Sequence, residues 1–390
     1  MTILNRFTEL RTDIADWRRD LHANPELGFN VHRTAELVAE KLKAFGVDEV
    51  VTGIGTTGVI GVIKGKQTNP ARVVGMRADM DALPVVETTG LPYASKIEGR
   101  MHACGHDGHT AMLLGAAKYL SETRDFNGTS VVIFQPAEED ACGARAMIDD
   151  GMMERFGIQE VYGMHNLPGV PVGKFVIRPG PFLAASDWFT IEIEGRGGHA
   201  AFPNACIDPT VIGTQMVNAL QLVVSRAIAP VDSAVVSITL FHTGGDSFNV
   251  IPQTLHMKGT VRTLDAGVQG LIEEQMNHIV DHTAKAFGAR AVLNYQRGIP
   301  VTRNTERETS FAADIAAEVV GEQHVDRNWP PLLGGEDFSY MLNARPGAFI
   351  FLGNGNTAGL HHPQFDFNDE AISFGCSYWA RLAERAMPAD

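Results

Sequence analysis

One thiol and three imidazoles fall within the eight residues from His102 to His109, in the stretch Met101-His102-Ala103-Cys104-Gly105-His106-Asp107-Gly108-His109-Thr110. Soft sulfur beside imidazole nitrogen is the donor chemistry of a zinc-type transition metal. A Cys-x-His pair cannot close a four-coordinate site alone, so further ligands must come from far along the chain. Glu138-Glu139, His165 and His361-His362 are the candidates. Two adjacent carboxylates after an apolar run (residues 130–134) suggest a ligand beside a general base. Together these residues point to hydrolysis by a metal-activated water.

Each candidate also has a plainer reading. A buried free cysteine is common, but not one placed two residues from a histidine in a glycine-rich loop. Glu138 and Glu139 could form a solvated acidic run with Asp140. His102 and His109 read as supporting residues, and Cys142, Cys206 and Cys376 as packing residues. His22 and Glu26 have no role that the sequence supplies.

The elements that must position these groups alternate. Residues 4–22 carry Leu4, Phe7, Leu10, Ile14, Trp17 and Leu21 at helical spacing, and Asn24-Pro25 ends that helix. Residues 34–45 and 108–120 read as helices; residues 59–63, 72–76, 130–134 and 161–164 read as buried strands. This alternation predicts an α/β fold with parallel strands and chemistry at their carboxyl ends. Asp79, Asp81, Glu138, Glu139 and His165 all follow such runs. From about residue 186 the texture changes to period-two strands near 188–195, 234–240 and 255–262, with helices near 209–226 and 267–287. That order predicts a small ferredoxin-like α+β domain. A helix near 309–320 and a strand at 348–352 return to the first texture. The expected organisation is a discontinuous metal-binding domain (1–185 and 296–390) interrupted by a smaller domain (186–295).

The 390 residues are too many for one ordinary core. A net charge of −14 argues against nucleic acid or an anionic membrane as the main partner and leaves a small-molecule substrate. Four scattered cysteines do not form a disulfide scaffold. The N-terminal segment lacks a long apolar signal core, and no run of about eighteen apolar residues occurs. A cytoplasmic setting is expected.

Several segments, in order, resemble the M20 family of metallopeptidases and amidohydrolases. They are Arg18-Arg19-Asp20-Leu21-His22, Arg77-Ala78-Asp79-Met80-Asp81-Ala82-Leu83-Pro84, the Cys104 stretch, and Gln135-Pro136-Ala137-Glu138-Glu139. Gly163-Met164-His165-Asn166-Leu167-Pro168, Gly197-Gly198-His199-Ala200-Ala201, Gly334-Gly335-Glu336-Asp337-Phe338 and Leu360-His361-His362-Pro363 complete the set. The branch most resembled contains hippurate hydrolase and the N-acyl and indole-acetyl amino acid amidohydrolases.

The resemblance implies an aminopeptidase-like α/β catalytic domain with an inserted lid and dimerisation domain. It implies two divalent cations held by Cys104, His106, Glu139, His165 and His361, with Glu138 as general base and Asp81 orienting a ligand. His361 is preferred to His362 because the family's last ligand directly follows the leucine. His199 is implied as an oxyanion donor reaching a partner subunit's site, within a homodimer or a higher homo-oligomer. Asn249, Arg262, Gly334 and Gly335 are implied as substrate contacts. The implied reaction is hydrolysis of an N-acyl amino acid with an aromatic acyl group; a dipeptidase or carboxypeptidase, an aromatic-amine deaminase and an inactive binding homologue are the alternatives. Many dizinc relatives carry His-x-Asp where this chain has Asp79-Met80-Asp81, and they lack the cysteine. The softer donor set leaves zinc as the default cation and manganese, nickel and cobalt as alternatives.

Overall fold

The computed structural model describes the backbone of residues 3–389 and the side chains of residues 5–389, so Met1, Thr2, Asp390 and the side chains of Ile3 and Leu4 fall outside it. The chain divides into two compact units. The larger comprises Met1–Phe182, Thr302–Pro330 and Glu336–Asp390; the smaller comprises Leu183–Val301 and Pro331–Gly335.

The larger unit is built on an eight-stranded sheet. Its order is Glu49–Ile54, Gly58–Lys64, Thr129–Gln135, Val73–Asp79, Glu160–Leu167, Gly347–Gly353, Phe175–Val176 and Val325–Asp326. The sheet is mixed rather than wholly parallel. The first three strands pair antiparallel with one another, and the four from Thr129–Gln135 to Gly347–Gly353 are parallel. Phe175–Val176 joins antiparallel before a short parallel pair with Val325–Asp326 closes the far edge. The three-residue link Gly55-Thr56-Thr57 can join only antiparallel neighbours, because a parallel pair needs a long crossover. The run at 59–63 misleads because this strand is buried on both faces, as a parallel strand would be.

The parallel centre positions the chemistry. Asp79 pairs with Gln135, so the carboxyl ends of two neighbouring strands lie side by side. The strands run further than apolarity alone suggests: Arg77, Asp79 and His165 lie within them and are buried. The helix His106–Thr123 begins two residues before its apolar pattern does. Gly105 enters it with φ +91°, and a Cβ at that position would lie 2.2 Å from Asn166 Oδ1. Glu26, silent in the sequence, accepts from the backbone N–H groups of Arg33 (3.1 Å) and Thr34 (2.8 Å) and so caps the helix His32–Ala44.

In the smaller unit the strands Ala234–His242, Thr254–Thr263, Ala185–Glu194 and Arg290–Ile299 form one antiparallel sheet in that order. The helices Pro209–Leu222 and Ala266–Ala286 pack on it, giving the ferredoxin-like order. Asp208 and Asp265 cap the two helices. A separate apolar core holds the unit together, with Ile191, Met216, Leu255, Ile272 and Met276 fully buried. The sheet extends to the pair Ile299↔Ser186, and Ala184 N–H donates to the Gly334 carbonyl, so Gly334 and Gly335 belong with this unit. Among the described residues no helix is long and apolar enough to cross a membrane.

The N-terminal helix Ile3–Ala23 turns a polar edge inward as well as an apolar one. His22 is fully buried, with Nδ1 2.8 Å from Asp107 Oδ2 and Nε2 3.4 Å from Glu87 Oε1. Burial disfavours the imidazolium, but Asp107 and then Glu87 outweigh it and lift the His22 pKa from 6.5 to about 9. A shift of this size corresponds to stabilisation on the order of 3 kcal/mol. It is fully present below pH 6.5 and is lost as pH rises through about 9. Urea unfolding at pH 6 and pH 10 should therefore show a gap between wild type and His22→Gln that closes at the higher pH. A gap of equal size at both would refute the charged pair.

Candidate metal centre

Strand ends, one helix start and two loops of the larger unit bring the sequence candidates together. Donor atoms of Cys104, His106 and His165 lie within 4.8 Å of one another, as do those of Cys104, Glu139 and His361. Cys104 is common to both groups. His106, Glu138 and Glu139 form a third group on the same limit. His362 is not among them: its Nδ1 accepts from Gln364 N–H at 3.1 Å, inside its own turn. His361 is held instead by its N–H, which donates to the Ala103 carbonyl at 2.8 Å, and its Nε2 lies 3.4 Å from Glu139 Oε1.

The hydrogen bonds orient these donors. His165 Nδ1–H donates to the Asn166 carbonyl at 2.7 Å, which turns the Nε2 lone pair toward Cys104 Sγ, 3.3 Å away, from whose thiol it accepts. Asp81 accepts the backbone N–H groups of Glu138 and Glu139, both at 3.1 Å, and so aims the two carboxylates. His109 joins the strand ends: its Nδ1 lies 2.6 Å from Asp79 Oδ1, and its Nε2 accepts from Asn166 N–H at 3.0 Å. The turn is strained. Ala137 (φ +51°), Ala141 (φ +62°) and His361 (φ +62°) occupy the left-handed region that non-glycine residues avoid. Gly143 lets the turn fold on itself, since a Cβ there would lie 1.6 Å from the Pro136 carbonyl oxygen.

The electrostatics are those of a site built for a cation. Burial, and then Glu139, Glu138 and Asp79, hold the Cys104 thiol well above its usual range. Burial, with Glu336, Glu139 and Asp337, likewise raises Glu138 well above the usual carboxylate range. Burial opposes ionisation of Glu139 too, but the neighbouring His361 and His106 outweigh it and lower its pKa. His106 is pushed up to about 10 against burial by Asp79, Asp81 and Glu139. Burial, followed by His109, drives His165 well below its usual value. Both nitrogens of His106 and Glu139 Oε1 are buried without a hydrogen-bond partner, which a neutral protein core does not tolerate cheaply. This set of soft and borderline donors fits zinc-type cations.

A buried knot beside the carboxylate pair has no counterpart in the sequence reading. Arg77, 1% exposed, pairs with Asp79 (2.7 Å), Glu336 (3.0 Å) and Asp337 (3.2 Å), and donates to Gln135 Oε1 (2.8 Å). Asp337 also accepts Ala144 N–H at 2.9 Å. These residues stand in motifs whose metal candidates draw the attention. The available signal is that Arg77 interrupts an otherwise apolar strand.

The smaller unit holds the remaining candidates in two groups. His199 is exposed and pairs with Val250 in a short ladder, so it neighbours Asn249. His199 Nδ1 accepts from Ala201 N–H at 3.1 Å, leaving Nε2 as the donor. Arg262 pairs in register with Ser186, and a Cβ on Gly335 would lie 2.7 Å from Ser186 Oγ, whereas Gly334 faces open space. Burial lowers the Arg262 pKa somewhat, against Asp187. The strand Ala185–Glu194 separates the groups, a span of about 30 Å at ~3.3 Å per residue.

Residues 75–385 match the model of peptidase family M20/M25/M40. The chain is 43% identical over 383 residues to a hippurate hydrolase of Campylobacter jejuni, covering 98% of this chain and 99% of that protein. It is 40% identical to an N-acetylcysteine deacetylase of Bacillus subtilis, covering 95% and 96% respectively. A solved structure of a dinuclear metal-binding peptidase of the M20 family, from Bacillus subtilis, superposes with a TM-score of 0.84 at 36% identity, covering 97% of this chain and 99% of that one. The chain belongs to peptidase family M20/M25/M40 and is a metal-dependent hydrolase of C–N bonds.

Proposed function

We propose that this enzyme hydrolyses the amide bond of N-acyl amino acids, hippurate-like or bearing another aromatic acyl group, to a carboxylic acid and an amino acid. The observation that carries the reading is the pair of donor groups sharing Cys104, set beside the buried carboxylate of Glu138. Cys104, His106, Glu139, His165 and His361 would hold two divalent cations between them. Zinc is the first choice; manganese, nickel and cobalt suit the same donors. When bound, such cations polarise the amide carbonyl and lower the pKa of a water molecule. Glu138 takes the proton from the attacking water and passes it to the departing nitrogen. Asp81 holds both glutamates in place through their backbone amides. The similarity to a hippurate hydrolase supports the substrate class.

His199, Asn249, Arg262, Gly334 and Gly335 complete the reading as contacts for the substrate and its oxyanion. One small substrate cannot touch both ends of a strand about 30 Å long. His199 and Asn249 therefore serve the centre of a partner subunit in a homodimer. The unpaired edge of the strand Ala234–His242, with Leu240 and Phe241 exposed, supports pairing of two copies through the smaller unit. The four cysteines are free, which agrees with a cytoplasmic setting.

Metal content measured on protein prepared without chelator, together with benzoyl-glycine hydrolysis before and after chelation, tests the proposal. About two ions per chain are expected, with turnover lost on stripping and restored on re-addition. Absence of metal with no rescue by any divalent ion would defeat it.

A further inference from the structure

The motif Arg18-Arg19-Asp20-Leu21-His22 lies outside the donor set, yet its arginine reaches both segments that carry it. The Arg18 side chain is fully buried. Its Nη1 lies 3.4 Å from Asp107 Oδ2 and 3.6 Å from Asp366 Oδ1, and its Nε donates to Asp369 Oδ1 at 2.9 Å. Asp107 directly follows His106 in the first turn of its helix, and Asp366 and Asp369 lie in the segment that follows His361. The Tyr93 ring covers the guanidinium at 4.5 Å, and the Tyr93 hydroxyl donates to Asp366 at 3.1 Å. His22 completes the hold on Asp107.

We propose that Arg18 is a positioning residue for the metal centre, setting the spacing between the segment of His106 and the segment of His361. The inference rests on the ligand assignment above. Three carboxylates from two segments converge on this one guanidinium; His22 also serves Asp107 and Arg19 also serves Asp369, but Arg18 touches carboxylates of both segments at once. The two segments also meet through His361 N–H on the Ala103 carbonyl and through the Phe367 ring, which packs against Gly108, so Arg18 supplies the charged part of a contact that is otherwise apolar. An error of a few tenths of an ångström between donors is enough to weaken a metal site, because each bond has a narrow length. Lysine carries the charge but not the fork that serves several carboxylates at once.

The test compares Arg18→Met, Arg18→Lys and Arg19→Ala with wild type, each shown to be folded by circular dichroism. Arg19 binds Asp369 from the exposed side at 2.7 Å and serves as the control. Zinc affinity is read by competition with a chromophoric chelator, and ligand geometry by the visible spectrum of the cobalt(II) form. Arg18→Met is expected to weaken zinc binding by about tenfold to 100-fold, the range for residues that support metal ligands, and to alter the cobalt spectrum. Arg18→Lys should fall between, and Arg19→Ala should stay within about twofold of wild type, as a rim contact does. A folded Arg18→Met with wild-type affinity and spectrum overturns the proposal whatever its melting temperature, since a purely structural arginine would lower stability alone. If Arg18→Met does not fold, Arg18→Lys decides by the same two readouts. A wild-type chain that binds no divalent ion sinks the ligand assignment itself, and this inference with it.

Discussion

Glu138→Gln is expected to keep about two metal ions per chain and lose about 10²- to 10⁴-fold in kcat, the range that a positioned general base supplies. The amide matches the carboxylate in size and keeps the place that Asp81 gives it through the backbone. It cannot take a proton from water. Folding should not suffer. Burial, and the charges of Glu336, Glu139 and Asp337, favour the neutral form of the native side chain, so a neutral replacement removes no favourable charge. Thermal stability of the metal-free protein should hold or rise. Metal analysis and steady-state kinetics on one preparation check the pair of outcomes. Full turnover with both ions in place would remove Glu138 from its role, and loss of the ions would move it among the ligands.

Cys104→Ala should act through the opposite readout. The thiol belongs to both donor groups, so under the proposed ligand assignment its removal weakens the whole centre. Metal affinity should fall by 100-fold or more, roughly the upper range for supporting residues and a floor for a ligand. Turnover should disappear at metal concentrations that saturate wild type. The metal-free forms should have similar stability, because burial and the surrounding carboxylates keep the unmetallated thiol protonated. The difference appears only with metal present. Wild type gains about 2.7 kcal/mol at a ligand concentration 100 times its Kd, and the variant gains little. Melting curves with and without zinc measure this directly. Two ions held at wild-type affinity by Cys104→Ala would show that the thiol is a bystander.

The elements differed in how openly they could be read. The alternating strands at 188–195 and 255–262 announce a half-exposed sheet, because period two is a local property. The helix Ala371–Ala386 is buried along most of its length, and its charged residues Arg381, Glu384 and Arg385 gather in the last turns, so a polar face marks only its end. The strand Gly58–Lys64 shows its burial but not its direction. The dense cluster at Cys104 was legible because thiol and imidazole are rare and were adjacent. Arg77, Glu336 and Asp337 were not, because a buried ion knot has no sequence periodicity and its members come from strands and loops some 260 positions apart.

The types of donor, their order along the chain and the insertion of an α+β pattern into an α/β one follow from sequence alone, since each rests on residue chemistry or short-range spacing. The tertiary structure decided which donors meet. Parallel register set Asp79 beside Gln135, and strain at Ala137 and Ala141 turned the glutamate pair back toward Asp81. A backbone bond to Ala103 chose His361, while His362 folded into its own turn. Such choices depend on ångström distances between segments far apart in the chain. Packing fixes those distances, and no local pattern encodes them.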